Sequence, residues 1–369
     1  MNARDKVEKT NHTIGIIGYR GFVGKAIVSL LEDKYLLIKG SRNKNIQEES
    51  TFYVDAYDDR SLEKFCSKCT VLINAAGPSY IIGDRIAKVA CVLGVKYVDI
   101  FGGNLLHEKI FAYAEKGRFI ICAGSVPGLT GILTRYLTEK FSAGHQKIEI
   151  YQGGRESGGI GGLTDIILSM LGGYGHSGKQ IINDEIVQCD LNTSDKVLVN
   201  GIPETVYANP YLTEEMISIA KSYNDLSISS YQIFPDKESM ELLTVGSIRY
   251  ISSKSEAEKL QILSEIFRSQ EHFITEKAKW FVILLNAEND SKKCRICIKT
   301  QNSTALTALI AAMSAERLMA EEEMYGLNWA YELLEAENVI WRLKDMGTLA
   351  EIECIEKDLS HVEMIEGII

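Results

Sequence analysis

No apolar run in this 369-residue chain reaches the length of a membrane span. Basic residues are in the minority. Forty lysines and arginines face fifty aspartates and glutamates, and the formal net charge of −10 argues against general nucleic-acid binding while leaving room for a local basic pocket. There are only five prolines, and no proline-rich linker, internal repeat or low-complexity tract divides the chain. The six histidines show no HExxH or comparable ligand spacing, so no metal site is expected. The opening MNARDKVEKTNH is polar and contains acids, unlike a secretory leader, and a cytoplasmic protein is expected. Cys66–Cys69 and Cys294–Cys297 have CxxC spacing but lie over two hundred residues apart, unlike a compact zinc ribbon. The first pair ends a helix-like run, EKFCSKC. The second lies in a strand-like run, KCRICIK, where the two side chains would face opposite ways. Buried free thiols are the expectation for these cysteines.

What is present is an ordinary globular composition, 46% hydrophobic and 24% charged, in a chain long enough for two domains. Its organising stretch is Thr13–Gly24, TIGIIGYRGFVG. Thr13, Ile14, Ile16 and Ile17 read as a short buried parallel strand, and Phe22–Leu31 as an apolar helix face. Gly18, Gly21 and Gly24 lie between and within them. One glycine permits the tight turn, one lets backbone reach a pyrophosphate, and one lets helix and strand pack closely. The helix start adds bare N–H groups and a partial positive charge. We therefore place Gly18, Arg20, Gly21, Phe22, Val23 and Gly24 at a dinucleotide. A second strand, Lys34–Lys39, ends in Gly40-Ser41-Arg42-Asn43. An NAD enzyme commonly has an acid here for the ribose 2′-hydroxyl. A hydroxyl and an arginine instead suit a 2′-phosphate, so NADP(H) is the expected cofactor.

Strands at Thr51–Asp55, Val71–Asn74, Lys96–Ile100 and Phe119–Cys122 alternate with helices. One begins at Ser61, its expected cap, and others run over Ile81–Leu93 and Asn104–Lys116. This is an α/β fold, a Rossmann doubly wound parallel sheet. The small residues Ala75-Ala76-Gly77-Pro78-Ser79 leave room for a flat ligand at the end of the fourth strand. A helix follows at Ile132–Phe141. Beyond Gly144 the pattern changes, with strands at Lys147–Tyr151, Lys196–Val199, Ser227–Phe234, Glu241–Ile251 and Trp280–Ala287. Helices are expected at Leu163–Leu171 and Glu256–Ser269. The resulting division is a Rossmann domain over 1–125 and a second α+β domain, on a mixed or antiparallel sheet, over 126–302. The apolar helix Ser303–Met319 and the tail, 303–369, would return to the first domain.

GYRGFVG, the GSRN strand end, VLINAAGP, GVKYVDIFGG and AGSVPGL together resemble the saccharopine dehydrogenase-like (saccharopine reductase) family over the first 140 residues or so, and GLNWAYELLEAENVIWRLKDMG is similar to its closing segment. The resemblance implies an NADP-binding Rossmann domain with an inserted catalytic domain, and reduction or reverse oxidation at a C–N bond of an amino-acid-derived substrate. It also implies that Gly18, Gly21 and Gly24 hold pyrophosphate and that Ser41 and Arg42 hold the 2′-phosphate. Asp55 would then lie near adenine and Ala76, Gly77 and Pro78 beside nicotinamide, with Asp99 and the Phe101–Gly103 loop where substrate approaches. Two departures set this chain apart. Val126 stands before the Pro-Gly pair, where saccharopine reductases usually carry an acid, and the substrate domain contains GGRESGGIGGLTD, Gly153–Asp165. Imines formed from an amine and a keto acid, or thiazolinyl imines of natural-product assembly lines, therefore stay open as substrates.

An iminium is already activated, so hydride transfer needs positioning more than a strong acid. Arg155, Glu156, Asp165, His176 and Lys179 are the candidates in the glycine-rich segment. Arg155 would suit a substrate carboxylate and His176 proton traffic. Asp99 could equally cap the turn after its strand. Two other readings stay open. A short-chain-dehydrogenase-like carbonyl reductase would use Tyr136 and Lys140, and a non-catalytic NADP sensor or scaffold would keep only the nucleotide site. The expected partner is a small-molecule substrate, with no nucleic acid or membrane, and a homodimer is compatible with the chain.

Overall fold

The computed structural model describes residues 12–356 except 47, 142–143, 157–162, 165, 168–174, 192–194, 276–277 and 322–323. The first sheet grows from short buried strands. β1 (Thr13–Ile17), β4 (Val71–Asn74), β5 (Lys96–Asp99) and β6 (Arg118–Ile121) are buried nearly throughout, as strands covered on both faces must be. With β2 (Leu36–Ser41), β3 (Thr51–Tyr53) and β15 (Gly326–Trp329) they form seven strands in the order β15-β6-β5-β4-β1-β2-β3, and every pairing is parallel. The order reverses between β1 and β4. A crevice therefore opens at their carboxyl ends, where such sheets bind ligands. The connecting helices are α1 (Phe22–Leu31), α2 (Asp59–Cys66), α3 (Ser79–Val92), α4 (Gly103–Phe111) and α5 (Leu129–Lys140).

The second sheet is mixed. β7 (Gln146–Arg155) lies at its centre, parallel to β12 (Leu226–Phe234) and antiparallel to β13 (Trp280–Glu288). β14 (Lys292–Thr300) and β16 (Leu349–Glu356) extend one side, and β9 (Lys179–Ile182) and β10 (Glu185–Gln188) the other. β11 (Tyr207–Thr213) pairs with both β12 and β8 (Gly175–Ser177), and leads into α6 (Glu214–Ser222). One apolar core joins the two sheets. Leu129, Ile132 and Leu133 of α5 share it with Ile148, Ile150, Ile283 and Ile296. α9 (Ser303–Ala320) is apolar nearly all round and accordingly buried; it packs against α1, β4 and β5. Between α6 and β13 lie α7 (Lys237–Ser252) and α8 (Glu256–Thr275), and α10 (Ala330–Leu333) and α11 (Ala336–Asp345) follow β15.

Several expectations need correction. Glu241–Ile251 is not a strand but the body of α7. The Asp236 carboxylate caps the helix by accepting from Ser239 N at 2.8 Å, and the buried Leu243, Gly246 and Ser247 follow a helical period. Gly246 admits the neighbouring helix, since a Cβ there would meet Ile266 Cδ1 at 2.3 Å. Lys196–Val199 makes only a single bridge, Val197 to Val206. α2 is capped by Asp58 rather than Ser61. Of the helix expected over 163–171, only 163, 164, 166 and 167 are described, and these are helical. The closing segment, expected to return to the first domain over 303–369, divides between the sheets in its described part, with β15 completing the first and β16 the second. That return brings Cys354 opposite Cys294 in the β14–β16 register, and the two form a disulfide in place of the free thiol expected of Cys294. Cys66, Cys69 and Cys297 are free thiols, and no group of metal-ligating side chains occurs among the described residues.

Candidate nucleotide and substrate site

The β1–α1 crossover shows why three glycines are needed. Gly18 has φ +85°, and a Cβ on it would come within 2.6 Å of Ala76 N; one on Gly24 would meet Gly18 O at 2.3 Å. These two let strand, turn and helix touch backbone to backbone. Gly21 differs. Its Cβ would have one neighbour within 4 Å, Gly18 O at 3.4 Å, and the residue is exposed. It is also the N-cap of α1, with no side-chain cap and no acid in the first turn. The N–H groups of Phe22, Val23 and Gly24 thus have no partner inside the helix and face the crevice, the arrangement that receives a diphosphate. Arg20 is exposed at its edge.

At the end of β2, Ser41 Oγ accepts from Asn43 N at 3.1 Å, leaving its own proton to donate. Arg42 is exposed and forms no ion pair among the described residues. Tyr53 lies beside Ser41 in the β2–β3 register. Two residues on, Asp55 is half-buried and turns the chain, accepting from Tyr57 N at 3.0 Å while its backbone N–H reaches Ser61 Oγ at 2.9 Å. The hydroxyl and guanidinium at this rim fit a 2′-phosphate, and the crossover fits a diphosphate.

Across the crevice, Ala76 N donates to Asn74 Oδ1 at 3.2 Å, and Gly77–Pro78 is a cis peptide leading into α3. Behind this turn lies Asp99. Its carboxylate is not open to the crevice, against the expectation that it meets substrate: it is 0% exposed. Its carboxylate accepts from the Ser79 hydroxyl, from Tyr97 OH at 2.5 Å, from Asn74 Nδ2 at 2.9 Å and from Phe101 N at 3.0 Å. Burial raises its pKa above the ordinary carboxylate value, and the four donors pull the other way. Asp99 is a positioning residue that ties the Ala76–Pro78 turn to the loop after β5.

Arg155 is likewise corrected. Its guanidinium is buried and bidentate to Glu204, Nη1 to Oε1 at 2.9 Å and Nη2 to Oε2 at 3.1 Å, and Trp280 Nε1 also donates to Glu204 at 2.8 Å. It is engaged with this internal carboxylate rather than offered to one on a substrate. Arg155→Met should therefore cost about 2 kcal/mol in urea unfolding, and Glu204→Leu added to it should recover part of the loss. Glu156 accepts from Ser303 N at 2.9 Å and so caps α9 from the second sheet. His176 lies on β8, half-exposed, with Nε2 3.1 Å from Glu214 Oε1 at the start of α6. Lys179 begins β9. Asp165 lies outside the described residues. Tyr136 and Lys140 do meet, Nζ to OH at 2.9 Å. They sit in the later part of α5, with Tyr136 about 10 Å along the axis from the helix start at the strand ends, which removes the support for a short-chain-dehydrogenase site.

Glu215 carries no signal in the sequence. From the second position of α6 its carboxylate reaches Gly128 N at 2.8 Å and the Thr130 hydroxyl, at the start of α5 and just beyond the Gly124–Pro127 loop. Glu214-Glu215 after Thr213 reads as an ordinary acidic first turn, and nothing local marks which of the two is buried.

A family model for the saccharopine dehydrogenase NADP-binding domain matches residues 14–118. That stretch runs from β1 to the start of β6 and includes the glycine crossover and the Ser41–Arg42 strand end. Over 122 residues the chain is 27% identical to a lipid droplet localized protein of Caenorhabditis elegans, a match covering 31% of this chain and 28% of that one. The chain thus matches less than a third of that relative's length. The likeness of fold extends beyond the matched residues. Apo saccharopine dehydrogenase (L-Glu forming) of Saccharomyces cerevisiae superimposes with a TM-score of 0.63 over 94% of this chain and 100% of its own, at 13% identity. Among the described residues no helix is long and apolar enough to cross a membrane.

Proposed function

We propose that this saccharopine dehydrogenase-like chain is an NADP(H)-dependent oxidoreductase acting at a C–N bond of an amino-acid-derived small molecule, by imine reduction or its reverse. The observation that carries the reading is the crevice between β1 and β4. It combines a sterically open Gly21, a bare α1 N-terminus and a rim on which Ser41 and Arg42 stand at the end of β2. When bound, NADPH supplies the hydride. The α1 amides hold its diphosphate, Arg42 and Ser41 its 2′-phosphate, and the Ala76–Pro78 turn, braced by Asp99, the nicotinamide side. His176, oriented by Glu214, is the proton carrier in this reading. Glu214 is the chain neighbour of Glu215, whose carboxyl touches the start of α5, so the pair belongs to the second-sheet side of the same joint.

The test is purified protein mixed with NADPH and a panel of imines, both amine plus keto-acid pairs and thiazolinyl compounds, followed by NADPH consumption. Binding without turnover across the panel would identify a sensor instead. Arg42→Glu should weaken NADPH by about ten- to a hundredfold, the worth of a charge-assisted phosphate contact turned repulsive, and leave NADH within about threefold. Equal weakening of both would remove the assignment of the 2′-phosphate to Arg42.

A further inference from the structure

We propose that Glu215 is the latch of the joint between the two sheets, a positioning residue whose carboxyl ties α6 of the second sheet to the loop closing the substrate end of the cleft. Calling this the substrate end rests on the function proposed above; the latch itself rests on geometry. Glu215 Oε2 accepts from Gly128 N at 2.8 Å and Oε1 from the Thr130 hydroxyl. These groups open α5, whose own N-cap, Gly128, has φ +124° and no side chain to offer. The cap therefore comes from another part of the chain, 87 residues away in sequence. The fit is tight: a Cβ on Gly131 would stand 2.6 Å from Glu215 Oε2, and one on Gly128 would stand 2.4 Å from Cys122 O and Gly124 O. The same loop is pinned from its other flank, where Ser125 N donates to Thr307 Oγ1 at 3.2 Å and the Thr307 hydroxyl donates to Ser125 Oγ at 2.9 Å.

The surroundings of the carboxyl decide how the latch responds to pH. Glu215 is 1% exposed and forms no ion pair among the described residues. The titratable groups facing it are the buried Cys122 thiol at the end of β6 and Tyr331 from α10, with Asp99 beyond Cys122. Glu214, its chain neighbour, is engaged with His176. Cys122, Tyr331 and Asp99 are neutral or acidic, so among the described residues no cation in contact with the carboxyl offsets its loss of water. Burial lifts the carboxyl from its ordinary 4.5 to about 7, against the hydrogen bonds from Thr130, Gly128 and Gly131. Opening the joint would return it to water. The closed joint therefore holds the proton more tightly than the open one. Closure is favoured below the ordinary value and loses that advantage as pH rises through about 7.

The experiment is hydrogen exchange of the 123–131 segment in the full chain, without cofactor. Corrected for intrinsic rates, exchange in the wild type should quicken about tenfold between about pH 6 and about pH 8. Glu215→Gln, a neutral group of the same shape, should remain protected and lose the pH response. Glu215→Ala and Thr130→Val should be faster throughout. A wild type with a flat profile, or a Gln variant that keeps the response, would overturn the latch. A wild type that shows the response yet binds no NADPH at any pH would support the latch and overturn the proposed function.

Discussion

Asp99→Ala should be among the most destabilising substitutions in the first sheet, lowering the unfolding free energy by about 3–5 kcal/mol in urea titration. Truncation removes the shared acceptor of four donors, three of them on residues that water does not reach. They are the Ser79 and Tyr97 hydroxyls, the Asn74 amide and Phe101 N–H. Each stranded donor costs about 1–3 kcal/mol, and relaxation of the freed hydroxyls recovers some of it. Tyr97→Phe removes one donor and keeps the acceptor served by three others, so it should cost only about 1 kcal/mol. The position should also matter to binding, because Ser79 and Asn74 frame the Ala76–Pro78 turn. NADPH affinity is expected to fall in Asp99→Ala under conditions where the protein is still folded. A loss below about 1 kcal/mol would mean that the four hydrogen bonds are replaced by water and that Asp99 does not brace the turn.

This network shows where a sequence stops being readable. The strands and the glycine crossover are local facts. VLIN and KYVD are short runs buried at every position because both faces are covered, and Gly18 is dictated by its own φ and by Ala76 arriving just after β4. The partners of charged side chains are not local. Arg155 and Glu204 are 49 residues apart, and Glu215 and Gly128 are 87 apart. A buried pair and a solvated pair are written with the same letters. Arg155 therefore reads as available for a substrate, and no local signal marks Glu215 as buried. Glu241–Ile251 failed for another reason. ELLTVGSIRYI mixes β-branched residues with an apolar pattern that fits either period, and the deciding groups are the Asp236 cap before it and Ile266 packed on Gly246. The Cys294–Cys354 pair depends on the tail returning to β14, and register between strands so far apart is set by the whole sheet.

The three glycines of the crossover should separate folding from binding. Gly24→Ala sets a Cβ 2.3 Å from Gly18 O and 2.5 Å from Tyr19 Cα, both backbone atoms. Neither can turn aside as a flexible side chain would, so β1 and α1 must move apart. The expected cost is about 2–3 kcal/mol, together with loss of NADPH binding. Gly21→Ala meets only Gly18 O, at 3.4 Å, in a backbone with φ −68° that any residue adopts. Its stability should stay within about 1 kcal/mol of wild type. Its methyl, however, occupies the space through which a diphosphate reaches the amides of Phe22 and Val23, so NADPH affinity should fall by about tenfold or more. Urea unfolding and NADPH titration of both variants read the two effects separately. If Gly21→Ala bound NADPH as the wild type does, the α1 amides would not be the diphosphate site, whatever Gly24→Ala did. Such a result could not be blamed on misfolding, because Gly21 is the glycine of the crossover that the fold itself does not need.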